Sequence, residues 1–344
     1  MSATSSRPAH VPAPSQPRPR VSLLVATHNR PALLREALAS VMAQTVSDWE
    51  VVLVDDGSTP PARIDDLPAE LQARIQLVRH EQPRRSAAAR NTAVRAARGE
   101  VLAFLDDDDL LAPDFLARAL GVLDRHPAIE VVCVGVSWFG QNADWTEKDC
   151  MPTLERTLAE ARGTELERGV LSFGPDLLDA LVRRVPMAFQ QQVVRREVFE
   201  RIGFFTEGRV LDRSDWGIRA AAFSRVALCP EGLYRQRCDG QSYASRPERF
   251  HEFLLAGVDT METLLARLKH EQAPQRAIGT VSRGAAKSWF DLAYWCRQQG
   301  RYREAWHALL MSERREPSLP RLRLAARMTV DGLQSLAGRP RKED

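Results

Sequence analysis

Between residues 21 and 125 short apolar runs alternate with stretches of helical periodicity. VSLLVAT (21–27), WEVVLVD (49–55), RIQLVRH (74–80) and EVLAFLD (100–106) read as strands. PALLREALASVMAQ (31–44), SAAARNTAVRAAR (86–98) and the stretch from Pro113 to Arg125 read as helices, the second stopped by Gly99 as a C-cap. This alternation predicts βα units around a parallel sheet covered on both faces. Ligands of such sheets bind outside the carboxyl ends of the strands. The polar clusters THNR (27–30), DDGS (55–58) and DDDD (106–109) each follow a strand, so all three are expected along one sheet edge.

The last cluster is the most demanding. Two like charges about 4 Å apart repel by roughly 4 kcal/mol at the effective dielectric of a protein surface. Here four carboxylates, Asp106 to Asp109, sit between apolar Val101–Leu105 and Leu110–Leu111, not in a polar, disordered setting. A helix start at Pro113 accounts for one or two aspartates by the macrodipole, not for four. A divalent cation is the common remedy for crowded carboxylates.

The other clusters fit a phosphorylated ligand. THNRP opens a helix whose free N–H groups favour phosphate, with Arg30 as an added charge; a plain cap at Thr27 and Asn29 stays an equal alternative. Gly57 permits the turn after Asp55 and leaves Asp56 free to accept from a base or a sugar, with an Asx-turn as the alternative. Arg84, Arg85 and Arg90, between the third and fourth strands, are within reach of a diphosphate or form a solvated basic face. There is no GxxxxGK[ST] and no GxGxxG after the first strand, which excludes a P-loop and a typical dinucleotide site. No Ser-His-Asp or Cys-His arrangement suggests a covalent nucleophile.

A net charge of +3 is too small to imply nucleic acid. Five scattered cysteines suggest a reducing compartment without a disulfide framework. No apolar run is long enough to cross a bilayer. Residues 1–20, rich in Pro and Ser, read as a disordered tail and not as a secretory signal.

VSLLVATHNRPALLREALASVMAQT, VVLVDDGST and ARNTAVRAARGEVLAFLDDDDLLAPDFL resemble family 2 glycosyltransferases in order and spacing over residues 21–125, more loosely to about residue 245. The resemblance implies the GT-A fold, a Rossmann-like mixed α/β sheet, as a domain over 21–248, with a helical C-terminal extension over 249–344. It also implies a metal-dependent, inverting transfer of sugar from a nucleotide-diphosphate donor, most often a UDP-sugar, to a hydroxyl of a saccharide, lipid-linked or small-molecule acceptor. The family's DxD motif falls on Asp106, Asp107 and Asp108. Asp108, with Asp106, would hold Mg²⁺ or Mn²⁺, while Asp106 and Asp107 face sugar and ribose. Thr27, Asn29, Arg30, Asp56 and Arg90 become the donor nucleotide pocket. LDRSDWGIRAA (211–221) resembles the helix bearing the catalytic base, which assigns the base to Asp215. Gln191, Trp216 and Asp239 fall in the acceptor region, Asp239 standing where relatives often carry His.

From Phe250 onward the pattern is helical. Trp289, Trp295 and Trp306 read as packing residues. A basic amphipathic face with Arg321, Arg323 and Arg327 suits a peripheral membrane contact, a homodimer contact or solvent alike. The expected location is the cytoplasm, including the inner face of the membrane. Two other functions stay open: a sugar-nucleotidyltransferase, and a non-catalytic nucleotide- or carbohydrate-binding protein.

Overall fold

The computed structural model describes residues 18–239 and 249–336. Most of the expected N-terminal tail, the stretch 240–248 and the C-terminal residues 337–344 lie outside the described residues. Arg18 to Arg20 already belong to the folded part, since Pro19 is buried and Arg18 Nε donates to Arg98 O at 2.8 Å.

The first half runs β1 (Val21–Thr27), α1 (Pro31–Met42), β2 (Trp49–Asp56), α2 (Ala69–Gln72), β3 (Ile75–His80), α3 (Ser86–Ala96), β4 (Val101–Asp106), β5 (Leu110–Leu111) and α4 (Phe115–Arg125). Then follow β6 (Val131–Phe139), α5 (Ala143–Ala161), β7 (Thr164–Glu167), β8 (Val170–Ser172) and α6 (Asp176–Leu181). Next come β9 (Gln192–Arg195), α7 (Arg196–Ile202), α8 (Asp212–Phe223) and β10 (Val226–Arg237). Four helices close the described chain: α9 (Phe250–His270), α10 (Gln275–Gln298), α11 (Tyr302–Arg315) and α12 (Leu319–Leu336).

One sheet takes the order β3-β2-β1-β4-β9-β6-β10-β8-β7, with β5 pairing β10 off that path. The strands β3, β2, β1 and β4 are parallel, as the alternation requires. β9 then inserts antiparallel between β4 and β6, making the sheet mixed. Alternate residues of each strand serve opposite faces. On one face Leu23, Val25, Val51 and Leu53 pack with Leu34 and Leu38 of α1 and with Leu116 and Leu120 of α4. On the other, Leu24, Val52 and Val54 pack with Ala89 and Ala93 of α3 and with Trp216 of α8. Full cover on both faces explains the near-continuous apolar runs of β1 and β2. β3 reads as a strand too, but it is half-exposed because it ends the sheet.

Two expectations change. Gly99 is not the cap of α3, which ends at Ala96. A Cβ at Gly99 would lie 2.6 Å from Ser22 N and 2.7 Å from Val21 C, so glycine is required by close backbone approach to β1. Nor is the C-terminal helical part a separate appendage throughout. Met261, Leu264, Leu265 and Leu268 of α9, and Val281 and Ala285 of α10, belong to the same core as α3 and α8. A second cluster, with Cys296 of α10, Ala305 and Leu309 of α11, and Leu324 and Met328 of α12, forms the outer end. The five cysteines are all free.

Candidate active site

Register brings the three clusters together. Thr27 pairs with Asp55, and Ala26 pairs with Asp106, so β1, β2 and β4 end side by side. Beyond β4 the aspartates splay in different directions, and each finds a different partner.

Asp106 is gripped from two sides. Arg90 of α3 donates from Nη2 to Oδ1 at 2.7 Å, and Arg213 of α8 donates from Nη1 to Oδ2 at 2.9 Å. Against the burial that would raise it, Arg213 and Arg90 hold the Asp106 carboxyl well below the usual carboxylate range. Asp107 points back to β1, where the Thr27 hydroxyl donates to its Oδ2 at 2.7 Å. Burial pushes Asp107 up to about 6, with repulsion from Asp108 and Asp106 adding to it. Asp108 is raised for the same reasons, burial first and then Asp106. Arg30 spans this pair, its Nη1 lying 3.2 Å from Asp107 Oδ1 and 2.7 Å from Asp108 Oδ2.

Asp109 takes a structural position. It accepts from the Tyr234 hydroxyl and from Arg237 N, both at 2.8 Å, tying the acidic turn to β10. Burial, with Asp106 and Asp108 nearby, pushes its carboxyl up to about 8. Arg237 also donates from Nε to Asp108 O at 2.9 Å. Tyr234 and Arg237 were missed by the sequence reading; the only signal was the polar ending of an otherwise apolar strand, YRQR (234–237).

The N-terminal cluster builds the adjoining wall. Asn29 adopts φ 56° and joins two loops: its N donates to Ser58 Oγ at 2.9 Å, and its Oδ1 accepts from Thr59 N at 2.8 Å. α1 begins at Pro31 with no side-chain cap, which leaves its first N–H groups unmatched by any side chain. A cleft of about 350 Å³ opens here, lined by Thr27, Asn29, Arg30, Ser58, Pro60 and Ala62 among others. It shares Thr27 and Arg30 with the carboxylate cluster.

Asp56 departs from expectation. Its Oδ1 accepts from His80 Nδ1 at 2.7 Å and Arg84 N at 2.8 Å, and its Oδ2 from Arg85 N at 2.8 Å. The carboxylate is therefore engaged in holding the loop before α3, and is not free as the turn motif suggests. Gly57 does take the left-handed conformation, at φ 73°. The arginines divide: Arg84 pairs with exposed Glu207, whereas Arg90, with 12% of its side chain exposed, bridges Asp106 and Asp212.

On α8 the expected base, Asp215, is held apart from the cluster. Its Oδ2 accepts from Thr206 Oγ1 at 3.0 Å and from Arg219 Nη2 at 2.8 Å, and the residue is 5% exposed. From the first turn of α8, Arg213 reaches Asp106 directly and Asp212 is linked to it through Arg90. Asp212 Oδ2 accepts from Arg90 Nη1 at 2.6 Å. Trp216 is not part of any acceptor surface: it is fully buried, stacks on Phe199 at 4.6 Å and donates to Gly203 O. Gln191 is buried with its Oε1 unpartnered. Asp239 accepts from Gln141 N at 2.9 Å and lies 3.6 Å from Arg237, which places it at the turn after β6. Of the three tryptophans read as packing residues, Trp289 donates to Glu262 and Trp295 stacks on His251, but Trp306 is exposed.

With this geometry in hand, the chain can be set beside known proteins. The profile of glycosyl transferase family 2 matches residues 22–203. The O-antigen biosynthesis protein RfbC of Myxococcus xanthus is 32% identical over 255 residues, a match taking in 73% of this chain but only 18% of that protein. Among solved structures, S. aureus TarS 1–349 in complex with UDP-GlcNAc superposes with a TM-score of 0.60 at 15% identity, covering 94% of each chain. The mannosyltransferase PcManGT from Pyrobaculum calidifontis, in complex with GDP-Man and Mn²⁺, gives a TM-score of 0.50 at 22% identity, covering 92% of this chain and 81% of that one. At these identities the two structures establish a shared fold.

Proposed function

The chain belongs to glycosyl transferase family 2, and from that premise we propose that it transfers a sugar from a nucleoside-diphosphate donor to an acceptor hydroxyl, with a divalent cation and with inversion, in the assembly of a cell-surface or lipid-linked saccharide. The observation that carries this reading is the convergence of Asp106, Asp107 and Asp108 with Thr27 and Arg30 at the carboxyl edge of the sheet. The name of the Myxococcus relative supports the saccharide class, and the ligands of the two solved structures support a UDP- or GDP-sugar donor.

The donor set fits the cation. Asp108 and Asp106 offer hard carboxylate oxygens, the ligand class of Mg²⁺ and Mn²⁺, and among the described residues no thiol or imidazole is bonded to them. Burial and mutual repulsion raise Asp107 and Asp108, so a positive partner is favoured there. When bound, the ion would neutralise charge developing on the leaving diphosphate. Thr27 orients Asp107, and Arg90 holds Asp106 and Asp212 in one arrangement. Arg30, at the start of α1, is placed for the phosphates as well as for Asp108. The carboxylate that takes the acceptor's proton comes from α8 in this reading. The resemblance points to Asp215; both candidates are ion-paired, Asp215 with Arg219 and Asp212 with Arg90, and we take Asp212 because Arg90 also holds Asp106 of the proposed cation site. Attack on the anomeric carbon from the face opposite the diphosphate inverts it, and no enzyme nucleophile is needed. Among the described residues no helix is long and apolar enough to cross a membrane, and the free cysteines suit a cytoplasmic location, with the C-terminal helices as the place for a peripheral contact.

The test is a thermal-shift screen of UDP, GDP, dTDP and CDP, with and without Mn²⁺, on the wild type and on Asp108→Ala. A ligand at 100 times its Kd adds roughly 2.7 kcal/mol of stability. The expected result is metal-dependent stabilisation by one nucleotide, lost in the variant. Stabilisation that ignores both the metal and Asp108 would overturn the metal assignment; no stabilisation by any nucleotide would overturn the donor reading.

A further inference from the structure

The first turn of α8 carries a cation that the fold leaves half used. Arg213 is 6% exposed, and its Nη1 donates to Asp106. Its Nε and Nη2 are buried and have no acceptor. Among the buried arginines with an unpartnered nitrogen, Arg213 is the one bonded to the carboxylate cluster. Nε and Nη2 share one edge of the guanidinium, and that edge takes a carboxylate or a phosphate side-on through two parallel hydrogen bonds. The guanidinium carbon also lies 5.9 Å from the centre of the Tyr234 ring, at the outer limit of a cation–π contact.

The local fold does not account for this residue. A cation in the first turn of a helix opposes the macrodipole. A buried donor left without an acceptor costs roughly 1–3 kcal/mol. α8 has no side-chain cap; its N-cap is Leu211, in the left-handed conformation at φ 67°. The N–H groups at the start of α8 are therefore without a side-chain acceptor too, and they favour the same kind of ligand as the free edge of Arg213. Asp106, to which Arg213 donates through Nη1, keeps 33% of its side chain exposed, so the guanidinium is bonded to a group that faces the open part of the site.

We propose that Arg213 and the start of α8 receive an anionic group, a carboxylate or a phosphate, carried by the sugar being transferred or by the acceptor. The inference rests on the glycosyl-transfer reading and adds a substrate class to it. The donor's diphosphate is a different group, matched by the Asp106–Asp108 cation site and Arg30.

Titration calorimetry on the full chain with Mn²⁺ tests it in two arms. The donor arm compares UDP-glucuronic acid with UDP-glucose, and GDP-mannuronic acid with GDP-mannose. The acceptor arm compares glucuronic acid and glucose 6-phosphate with glucose, on protein saturated with the nucleoside diphosphate that binds. In the wild type one arm should show a preference of roughly tenfold for the charged member, which falls below about twofold in Arg213→Gln; the preference is a ratio within each protein, so any change in nucleoside-diphosphate affinity transmitted through Asp106 cancels. Arg213→Lys, which keeps the charge and loses the fork, should retain part of the preference and covers the case in which Arg213→Gln does not fold. The arm that responds identifies the source of the anion. Equal affinity for charged and neutral members in both arms, or a preference that Arg213→Gln retains, overturns the proposal while leaving glycosyl transfer standing. Absence of all nucleotide binding would instead overturn the reading beneath it.

Discussion

Arg30 closes the open side of Asp108: its Nη1 lies 2.7 Å from Asp108 Oδ2 and also reaches Asp107, so one guanidinium neutralises two carboxylates that burial and repulsion both disfavour. On the proposed reading the same oxygens hold the divalent cation, and Arg30 and the ion would then compete for Asp108.

Replacing Arg30 by Gln should separate the two effects. The metal-free variant loses stability, and its affinity for Mn²⁺ alone rises by about fivefold, the equivalent of roughly 1 kcal/mol for a part-exposed ion pair. Affinity for the nucleotide with Mn²⁺ falls. Mn²⁺ titration followed by electron paramagnetic resonance, without nucleotide, checks this; weaker Mn²⁺ binding in the variant would contradict it.

Asp212 and Asp215 lie one turn apart on α8 and should behave oppositely when each becomes Asn. Asp215→Asn removes the carboxylate partner of the buried Arg219, which keeps only its backbone acceptors at Ile202, Gly203 and Phe204, and should cost about 3 kcal/mol in urea unfolding. Asp212→Asn should lower kcat by about 100-fold or more with KM for the donor nearly unchanged, as expected for loss of a general base. Unimpaired turnover in Asp212→Asn would return the base to another group.

The acidic turn makes metal-free stability depend on pH. Burial pushes Asp107 up to about 6 and Asp109 up to about 8. A carboxyl whose folded pKa is raised binds its proton more tightly in the folded chain, so its contribution to stability declines as pH rises through that value. The Tm of chelator-treated protein should therefore climb as pH falls from about 8.5 to about 5.5, above the range in which the lowered carboxyls Glu50 and Asp55 protonate. Saturating Mn²⁺ with nucleotide should raise Tm more at the alkaline end. A Tm that falls steadily over that window would refute the assignment.

The C-terminal helices should prove indispensable to the fold. A chain ending at residue 248 would strip α9 and α10 from the main core and uncover Trp216's neighbours. A Cβ at Gly284 would lie 2.3 Å from Val182 Cγ1, a measure of how closely α10 seats on the segment after α6. The expectation is aggregation or a loss of cooperative unfolding, read by calorimetry; a soluble, cooperatively folded fragment would show the helices to be an independent unit.

The strand–helix alternation, the parallel order of β1 to β4 and the meeting of three polar clusters were legible because hydrophobic periodicity and turn chemistry are local properties. The crossover rule then places strand ends together without further information. Less local features were misread for an equally physical reason. Gly99 follows a helix and so resembles a cap, but its role comes from the β1 backbone passing alongside. Asp56 sits in a turn motif that suits ligand binding, yet His80 and the loop before α3 occupy it.

The sequence by itself determined which residue types stand at the sheet edge, and hence that this edge is acidic, phosphate-friendly and suited to a hard cation. Only the tertiary structure decided which charge meets which. Arg213 reaches Asp106 across 107 positions and Arg90 reaches Asp212 across 122, while Asp215 finds its charge partner four residues away. Such pairings depend on distances between segments brought together by the packing of α3, α8 and β10 against β4. A charge pattern along the chain carries no record of those distances, because the energy of each pair is set in three dimensions by separation and burial.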